Sequence, residues 1–206
     1  MSTKERILDA ARELLNKTGI DNVSARTICA ELKISPGNFT YYYSNKNQVI
    51  ADLYSMMRSE IQEAKTSTSG RILNITTYLR THQQLFLIQD KYKFFYLNLF
   101  EILTGDPNLK EKYLATTKTE RKMAIGMLKT YSQYGIFRKG LRDDDFERLV
   151  NVGQILNNAW LVDAEILYKG NQRKKMVYYM GICCGLLQPY LTEKSAVAYQ
   201  EFFESI

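Results

Sequence analysis

The side chains best suited to hydrogen bonding with another macromolecule are grouped between Ile34 and Ala51. This stretch reads I-S-P-G-N-F-T-Y-Y-Y-S-N-K-N-Q-V-I-A, and no acidic residue occurs from Leu32 to Ala51. Asn38 carries an amide that both donates and accepts, as the edge of a base pair requires, while tyrosine hydroxyls and Lys46 can meet phosphate oxygens. These residue types in this order predict a surface that binds a DNA groove.

A short helix must carry these groups. It is predicted from Pro36 to Tyr42, because Ser35 is a good N-cap and proline is well accepted at the first helical position. Phe39 and Tyr43 are four residues apart, so they share one face, which we expect to be buried. The opposite face presents small and polar residues: Gly37, Asn38, Tyr41 and Tyr42.

Two predicted helices precede this segment. The first covers residues 3–17, where apolar residues recur at helical spacing. The second begins after the N-cap residue Ser24 and continues to about Leu32. Arg26 lies on the first turn of this second helix, from which its guanidinium could reach a phosphate or a guanine.

A fourth helix is predicted over residues 46–66. Asn45, with Gln48 three residues later, resembles a capping box that opens it. Lys46 therefore stands at a helix N-terminus, where a cation and unpaired N–H groups can both meet a phosphate. Three short helices, with a brief turn between the second and third, form a helix-turn-helix pattern that presents the third helix to DNA.

The rest of the chain shows helical periodicity and no run with a convincing period of two. The predicted helices cover residues 71–89, 92–104, 108–134, 143–168, 171–188 and 192–204. The polar stretch from Lys65 to Gly70 is expected to join them to the fourth helix. The sequence therefore predicts an all-α fold, with a DNA-binding domain over 1–47, a connecting helix over 46–66 and a larger helical domain over 67–206.

Total charge is a weak guide to the partner of this chain. The net charge is +6 and the pI about 9.1, which is compatible with nucleic acid. Residues 1–65, however, hold nine Lys and Arg against eight Asp and Glu. The DNA hypothesis therefore depends on the local arrangement of residues and not on bulk charge.

Cysteine usage and hydropathy indicate the cellular compartment of this protein and exclude several kinds of chemistry. The three cysteines, Cys29, Cys183 and Cys184, form a poor disulfide framework and predict a reducing cytoplasm. The charge-free run from Met176 to Thr192 is too short to cross a membrane, so no membrane partner is expected. One histidine, no C-x-x-C motif and no nucleophile–base pair predict neither an enzyme nor a metal or cofactor site.

Residues 7–53 resemble the DNA-binding domain of the TetR family of bacterial transcriptional regulators. The resemblance includes I-L-D-A-A-R-E-L-L, T-G-I, S-A-R-T-I-C-A-E-L, I-S-P-G-N-F-T-Y-Y-Y and the lysine of S-N-K-N. It implies that five residues face the major groove: Pro36, Gly37, Asn38, Thr40 and Tyr41. It also implies that Tyr42 and Lys46 contact phosphates and that Arg26 and Thr27 lie near the duplex.

Two positions depart from the family pattern. Thr40 replaces the usual tyrosine, which removes a bulky contact with DNA. Lys33 occupies the place of the usual turn glycine, so we expect a slightly altered turn. Neither departure removes the phosphate anchors, and both make the operator sequence unpredictable from the family pattern.

The resemblance implies that the remaining helices bind a small ligand and form a dimer, usually through two late helices from each subunit. An aromatic cluster from Tyr92 to Phe100 indicates core packing, with a ligand pocket as the alternative. The expected ligand-binding residues are His82, Phe95, Asn98, Phe100, Asn157 and Trp160. The expected dimer residues on the helices at 143–168 and 171–188 are Leu149, Val152, Leu156, Met180, Cys184 and Leu187.

Two functions are consistent with these features. The first is a ligand-responsive repressor that binds a double-stranded, palindromic operator as a homodimer and responds to a small apolar or aromatic effector. The second is an all-α small-molecule-binding or scaffold protein that no longer binds DNA. The acid-free third helix with Tyr42 and Lys46 favours the first.

Overall fold

A computed structural model describes residues 2–67 and 73–206 of the chain. Within these ranges the chain forms eleven α-helices, one short 3-10 helix at Gln188–Tyr190 and no strand longer than a single bridge. The helices are α1 (Thr3–Thr18), α2 (Ala25–Leu32), α3 (Pro36–Tyr42), α4 (Lys46–Thr66), α5 (Ile75–Lys91), α6 (Lys93–Leu97), α7 (Leu99–Gly105), α8 (Pro107–Gln133), α9 (Asp143–Leu167), α10 (Gln172–Gly185) and α11 (Glu193–Glu204). The all-α prediction is confirmed. The predicted joint at Lys65–Gly70 lies partly outside the described residues.

One predicted helix is divided in two. The sequence predicts a continuous helix over residues 92–104, whereas α6 and α7 meet at Asn98, whose backbone leaves the helical region at φ −121° and ψ 26°. The Asn98 side-chain amide donates to the carbonyl oxygen of Phe94 at 2.8 Å. Asparagine competes for backbone acceptors in this way, which explains the break.

The first compact unit comprises Met1–Gln62 and Ile88–Lys110. Fully buried side chains from successive helices form its core: Ile7, Leu15, Ile28, Phe39 and Leu53. The later segment packs here because the Asn16 amide donates to the Lys91 carbonyl oxygen at 2.8 Å and accepts from the Phe94 N–H at 3.0 Å. These two groups end one helix and begin the next, and Asn16 satisfies both.

The second compact unit comprises Glu63–Leu87 and Glu111–Ile206. Its core includes Trp160, whose ring centroid lies 4.8 Å from that of Phe86. Two polar contacts join α9 to α10: the Tyr179 hydroxyl donates to Asp163 Oδ2 at 2.6 Å, and Lys175 Nζ pairs with Glu165 Oε1 at 3.0 Å. Residues 88–110 belong to the first unit by contacts, while the division into functional domains at 1–47 and 67–206 stays a prediction.

Candidate nucleic-acid interface

Helix α2 begins with a reciprocal cap. Ser24 Oγ accepts from the Thr27 N–H at 3.2 Å, and the Ser24 N–H donates to Thr27 Oγ1 at 2.9 Å. The Thr27 hydroxyl also donates to the Ser24 carbonyl oxygen at 2.9 Å. The structure thus places Thr27 in the helix start, and Arg26 beside it is exposed on the first turn.

The turn between α2 and α3 contains Lys33 in a left-handed conformation, at φ 54° and ψ 43°. Two backbone N–H groups close the end of α2, since Lys33 donates to the Ala30 carbonyl oxygen at 3.3 Å and Ile34 donates to that of Cys29 at 3.0 Å. This geometry is the one for which glycine carries the least steric cost. The family glycine is therefore replaced by lysine without loss of the left-handed turn.

Helix α3 begins at Pro36, as predicted. Ser35 Oγ accepts from the Asn38 N–H at 3.2 Å, which satisfies a donor at the helix start. Phe39 and Tyr43 are buried, with ring centroids 6.0 Å apart, so the predicted inner face is confirmed. The packing of these two rings fixes which face of α3 remains at the surface.

The outer face of α3 is exposed and carries no acid. Its exposed residues are Pro36, Gly37, Asn38, Thr40 and Tyr41. Tyr41 is 81% exposed and meets the partly buried Tyr42 edge to face, with centroids 4.9 Å apart. The Thr40 hydroxyl donates to the Gly37 carbonyl oxygen at 3.1 Å, which leaves its oxygen able to accept.

Gly37 is not required by packing within the chain. A Cβ atom at this position would meet only Ser35 Oγ, at 3.9 Å, an ordinary van der Waals distance. The backbone of Gly37 has no positive φ that would favour glycine. A residue without a side chain at this exposed helix start therefore permits close approach of an external surface.

The start of α4 holds the predicted phosphate-binding lysine. Asn45 Oδ1 accepts from the Gln48 N–H at 3.1 Å, and Gln48 Oε1 accepts from the Ser44 N–H at 2.8 Å. The capping pattern is thus shifted by one residue from a reciprocal box. Lys46 Nζ donates to the Ile20 carbonyl oxygen at 2.6 Å, a contact that sequence reasoning missed because 26 residues separate the two. An ammonium has three N–H donors, so one such bond does not exhaust it.

The six predicted ligand-binding residues fall in different compact units. Phe95, Asn98 and Phe100 belong to the first unit, where Phe95 stacks on Tyr54 at 5.1 Å and Phe100 is 83% exposed. Asn98 is used in the break between α6 and α7. The remaining three predicted residues lie in the second unit: His82, Asn157 and Trp160.

His82 is the most distinctive polar residue of the second unit. Its ring stacks on Tyr78 with centroids 3.9 Å apart, and Nδ1 lies 2.9 Å from the Tyr78 carbonyl oxygen. Burial lowers the pKa of His82 from the ordinary 6.5 to about 4, against an opposing effect of the backbone hydrogen bond. The imidazole is therefore neutral at pH 7, and with the proton on Nδ1 its Nε2 is an acceptor.

Most of the predicted dimer residues are buried within the single chain. Four of them are buried: Leu149, Met180, Cys184 and Leu187. Val152 is exposed and Leu156 is partly buried. Among the described residues, α9 instead exposes Val152, Ile155, Ala159, Val162 and Ile166, and α10 exposes Tyr178 and Ile182. Alternating spacings of three and four along α9 could have identified this stripe, which we call the α9–α10 apolar face.

No helix in the described part of the chain combines the length and apolar character needed to cross a membrane. The described residues also contain no group of three or more His, Cys, Asp or Glu side chains arranged to hold a metal ion. The fold and this surface define a class of protein: an all-α helix-turn-helix protein whose short third helix is acid-free and exposed on its outer face.

Family models match both parts of the chain. Residues 7–53 match the model described as bacterial regulatory proteins of the tetR family, and residues 56–199 match a TetR model described as bacterial transcriptional repressor. The chain therefore belongs to the TetR family, and it is a DNA-binding transcriptional regulator. Members of this family are transcription factors and not enzymes.

Solved structures share the fold over 92% or more of this chain. A TetR-family transcriptional regulator from Marinobacter aquaeolei VT8 is 21% identical, with a TM-score of 0.89, covering 100% of this chain and 98% of its own. A putative transcriptional regulator from Saccharomonospora viridis, in complex with choline, is 17% identical with a TM-score of 0.71, covering 92% and 97%. The ketosteroid transcriptional regulator KstR2 of Mycobacterium tuberculosis is 16% identical with a TM-score of 0.65, covering 93% and 96%. Among curated proteins, none matches the chain.

Proposed function

We propose that this regulator is a cytoplasmic repressor that binds a palindromic operator as a homodimer and leaves it when a small effector binds. One observation carries the proposal: α3 is fixed on its inner face by Phe39 and Tyr43 and is exposed and acid-free on its outer face. The description of the family model over residues 56–199 supports the direction of regulation.

The proposed DNA contacts divide by chemistry. Asn38 reads a base edge, because its amide can both donate and accept in the major groove. The backbone of Gly37 comes close to the DNA, because the residue has no side chain. The nearest atom to the position of an added Cβ atom is Ser35 Oγ, at 3.9 Å, so this space is open to the DNA. The remaining groove contacts are Pro36, Thr40 and Tyr41. The proposed phosphate contacts and DNA neighbours are Tyr42, Lys46, Arg26 and Thr27.

Selection from a random duplex library by the purified protein tests DNA recognition. We expect one palindromic sequence to be enriched. Asn38→Ala should then lose discrimination at one symmetric base-pair position, by a factor of about 5 to 150. Asn108→Ala is the matched control, because Asn108 is also exposed and lies at the start of α8, outside the predicted DNA-binding residues. Enrichment of no palindrome would contradict the proposal.

The α9–α10 apolar face supports a homodimer. Val152, Ile155, Ala159, Val162 and Ile166 follow spacings of three, four, three and four, which is the seam of helices that pack at a shallow angle. Ile155 is 64% exposed and Ile166 is 70% exposed, an unusual state for large aliphatic side chains in a row. A second copy presents the same stripe, so a twofold axis buries both, as two operator half-sites require.

The proposed effector is a small apolar or aromatic molecule bound in the second unit by His82, Asn157 and Trp160. The neutral His82 ring offers an acceptor to a hydroxyl or an amide, and the buried Trp160 ring, packed beside Phe86, would supply the aromatic wall of the site. The choline complex of the Saccharomonospora protein supports a small-molecule effector and adds quaternary ammonium compounds to the candidates.

A repressor of this kind needs a coupling between effector and DNA. Helix α4 is continuous from Lys46 to Thr66 and contributes residues to both compact units, so an effector that displaces its end can alter the spacing of two DNA-bound helices. A thermal-shift screen with aromatic, aliphatic and choline-like compounds identifies binders. A binder that raises the Tm and lowers operator affinity would support the mechanism. Binders that leave operator affinity unchanged would contradict it.

A further inference from the structure

Helix α3 is too short to hold its own orientation. Helix α3 has seven residues, about two turns, and isolated helices of this length are unstable in water. Its N-terminal end is held by the Ser35 cap, whose Oγ accepts from the Asn38 N–H. Its C-terminal end depends on Tyr43, the residue at which the helix stops and the backbone becomes extended, at φ −142° and ψ 123°.

Tyr43 reaches a carboxylate on the next helix. Its ring is buried, and its Oη atom donates to Asp52 Oδ2 at 3.0 Å. Burial, followed by the hydrogen bond and the charge of Asp52, raises the pKa of Tyr43, so the phenol remains a donor at physiological pH. The C-terminal end of α3 is thus joined to the second turn of α4 through side chains.

Asp52 accepts a second bond from the first helix. Lys4 Nζ lies 2.8 Å from the same Oδ2 atom and 5.6 Å from the centroid of the Tyr43 ring. The Lys4 and Asp52 side chains are about half and two-fifths exposed, so the pair contributes little to stability. Its effect is geometric, because one carboxylate oxygen on α4 binds a group from α1 and a group at the end of α3.

We propose that Asp52 is a positioning residue for DNA recognition: it ties the C-terminal end of α3 to α4 through Tyr43, while Lys4 holds the carboxylate in place. The inference rests on the proposed function, in which α3 enters the groove. It adds the means by which a displacement of α4 turns α3 together with it. None of the three side chains needs to contact DNA for this role.

The charge of Asp52 distinguishes a positioning role from a simple electrostatic effect on DNA binding. Removing the Asp52 carboxylate makes the protein more positive, which by itself strengthens binding to DNA. Loss of a contact that positions α3 should instead weaken binding to DNA. We expect Asp52→Ala and Tyr43→Phe each to weaken binding to the selected operator about five- to tenfold, the scale of a hydrogen bond to a charged group that is partly exposed. The salt dependence of binding should not change. Glu13→Ala, an exposed charge removal on α1, is the matched control.

A double-mutant cycle separates positioning from independent effects. Tyr43→Phe combined with Asp52→Ala should bind no more weakly than Asp52→Ala alone, because Asp52→Ala already removes the bond that Tyr43→Phe breaks. Asp52→Asn, which keeps an acceptor oxygen, should recover part of the affinity. Independent effects that multiply, or an affinity equal to the unmodified protein, would overturn the proposal.

A measurement without DNA keeps the inference distinct from the proposed function. Amide hydrogen exchange should be faster in α3 for both single variants, with the amides of Ile7–Leu15 in α1 unchanged. If the protein selects no DNA but α3 exchanges faster, the proposed function fails and the tie between α3 and α4 stands. Faster exchange in all helices together would show that the contact only stabilises the fold. Unchanged exchange in α3 would show that the contact does not hold α3. Either result would overturn the inference.

Discussion

Lys46 donates a hydrogen bond from Nζ to the carbonyl oxygen of Ile20 across 2.6 Å. The lysine therefore joins the start of α4 to the segment that follows α1, in addition to its proposed contact with a phosphate. Its two remaining N–H donors are compatible with both tasks at once. This relationship gives the lysine two separable effects, one on stability and one on DNA affinity.

Lys46→Ala is expected to lower both quantities. Loss of the bond to the Ile20 carbonyl should reduce the free energy of unfolding by about 1 kcal/mol. Loss of one phosphate contact should reduce the slope of log K against log salt by about one. Denaturant unfolding and operator titrations at several salt concentrations measure the two effects. Lys118→Ala, an exposed lysine on α8, should change neither, and an unaltered slope in Lys46→Ala would exclude the phosphate contact.

Lys33→Gly is expected to stabilise the protein. The residue has φ 54°, where a Cβ atom costs about 1 kcal/mol and glycine does not. For a chain of this length the Tm should rise by about 2–4 °C. Lys33→Ala keeps the Cβ atom and removes the same charge, so it should give no such gain in a calorimetric scan. Equal Tm values for the two variants would mean that strain at this turn is absent.

Ile155→Glu is expected to produce a monomer. A charge in the middle of the α9–α10 apolar face would be buried against a second copy, at a cost of several kcal/mol. Sedimentation velocity at micromolar concentration measures the change from dimer to monomer. Leu114→Glu, an exposed leucine on α8 with a comparable exposed fraction, is the control and should remain dimeric. A dimeric Ile155→Glu would place the interface elsewhere.

Stability is expected to fall in mild acid because of His82. The unfolded chain binds a proton at this residue below pH 6.5, whereas the folded protein binds one only below about pH 4. Protonation therefore favours the unfolded chain, so the stability that neutral His82 contributes is complete above pH 6.5 and is lost as the pH falls toward 4. The effect should be on the order of 2 kcal/mol after allowance for partial exposure.

His82 is the only histidine in the chain, so a variant without it differs from the unmodified protein in histidine titration at this position alone. Urea unfolding of the unmodified protein and of His82→Gln between pH 7 and pH 5 measures the difference. The variant should lose less stability than the unmodified protein over this interval. Parallel pH profiles would show that His82 is not held neutral by its surroundings.

The positions of the helices followed closely from local sequence signals. Ser24 and Ser35 cap α2 and α3 as predicted, and α4 covers residues 46–66 as predicted. Capping and periodicity act within a few residues, so they can be read from the chain alone. Asn98 is the instructive exception, since its side chain competes for a backbone acceptor where the apolar pattern continues.

The sequence alone therefore determined the all-α class, the helix-turn-helix order and the buried face of α3, because these depend on residues at most four apart. Only the tertiary structure decided which apolar stripe of α9 is exposed, and that Lys46 meets Ile20 and Tyr43 meets Asp52. Helical spacing gives two apolar faces on α9 without stating which one the rest of the chain covers. Side-chain bonds between helices depend on how the helices pack, and no local pattern specifies that packing.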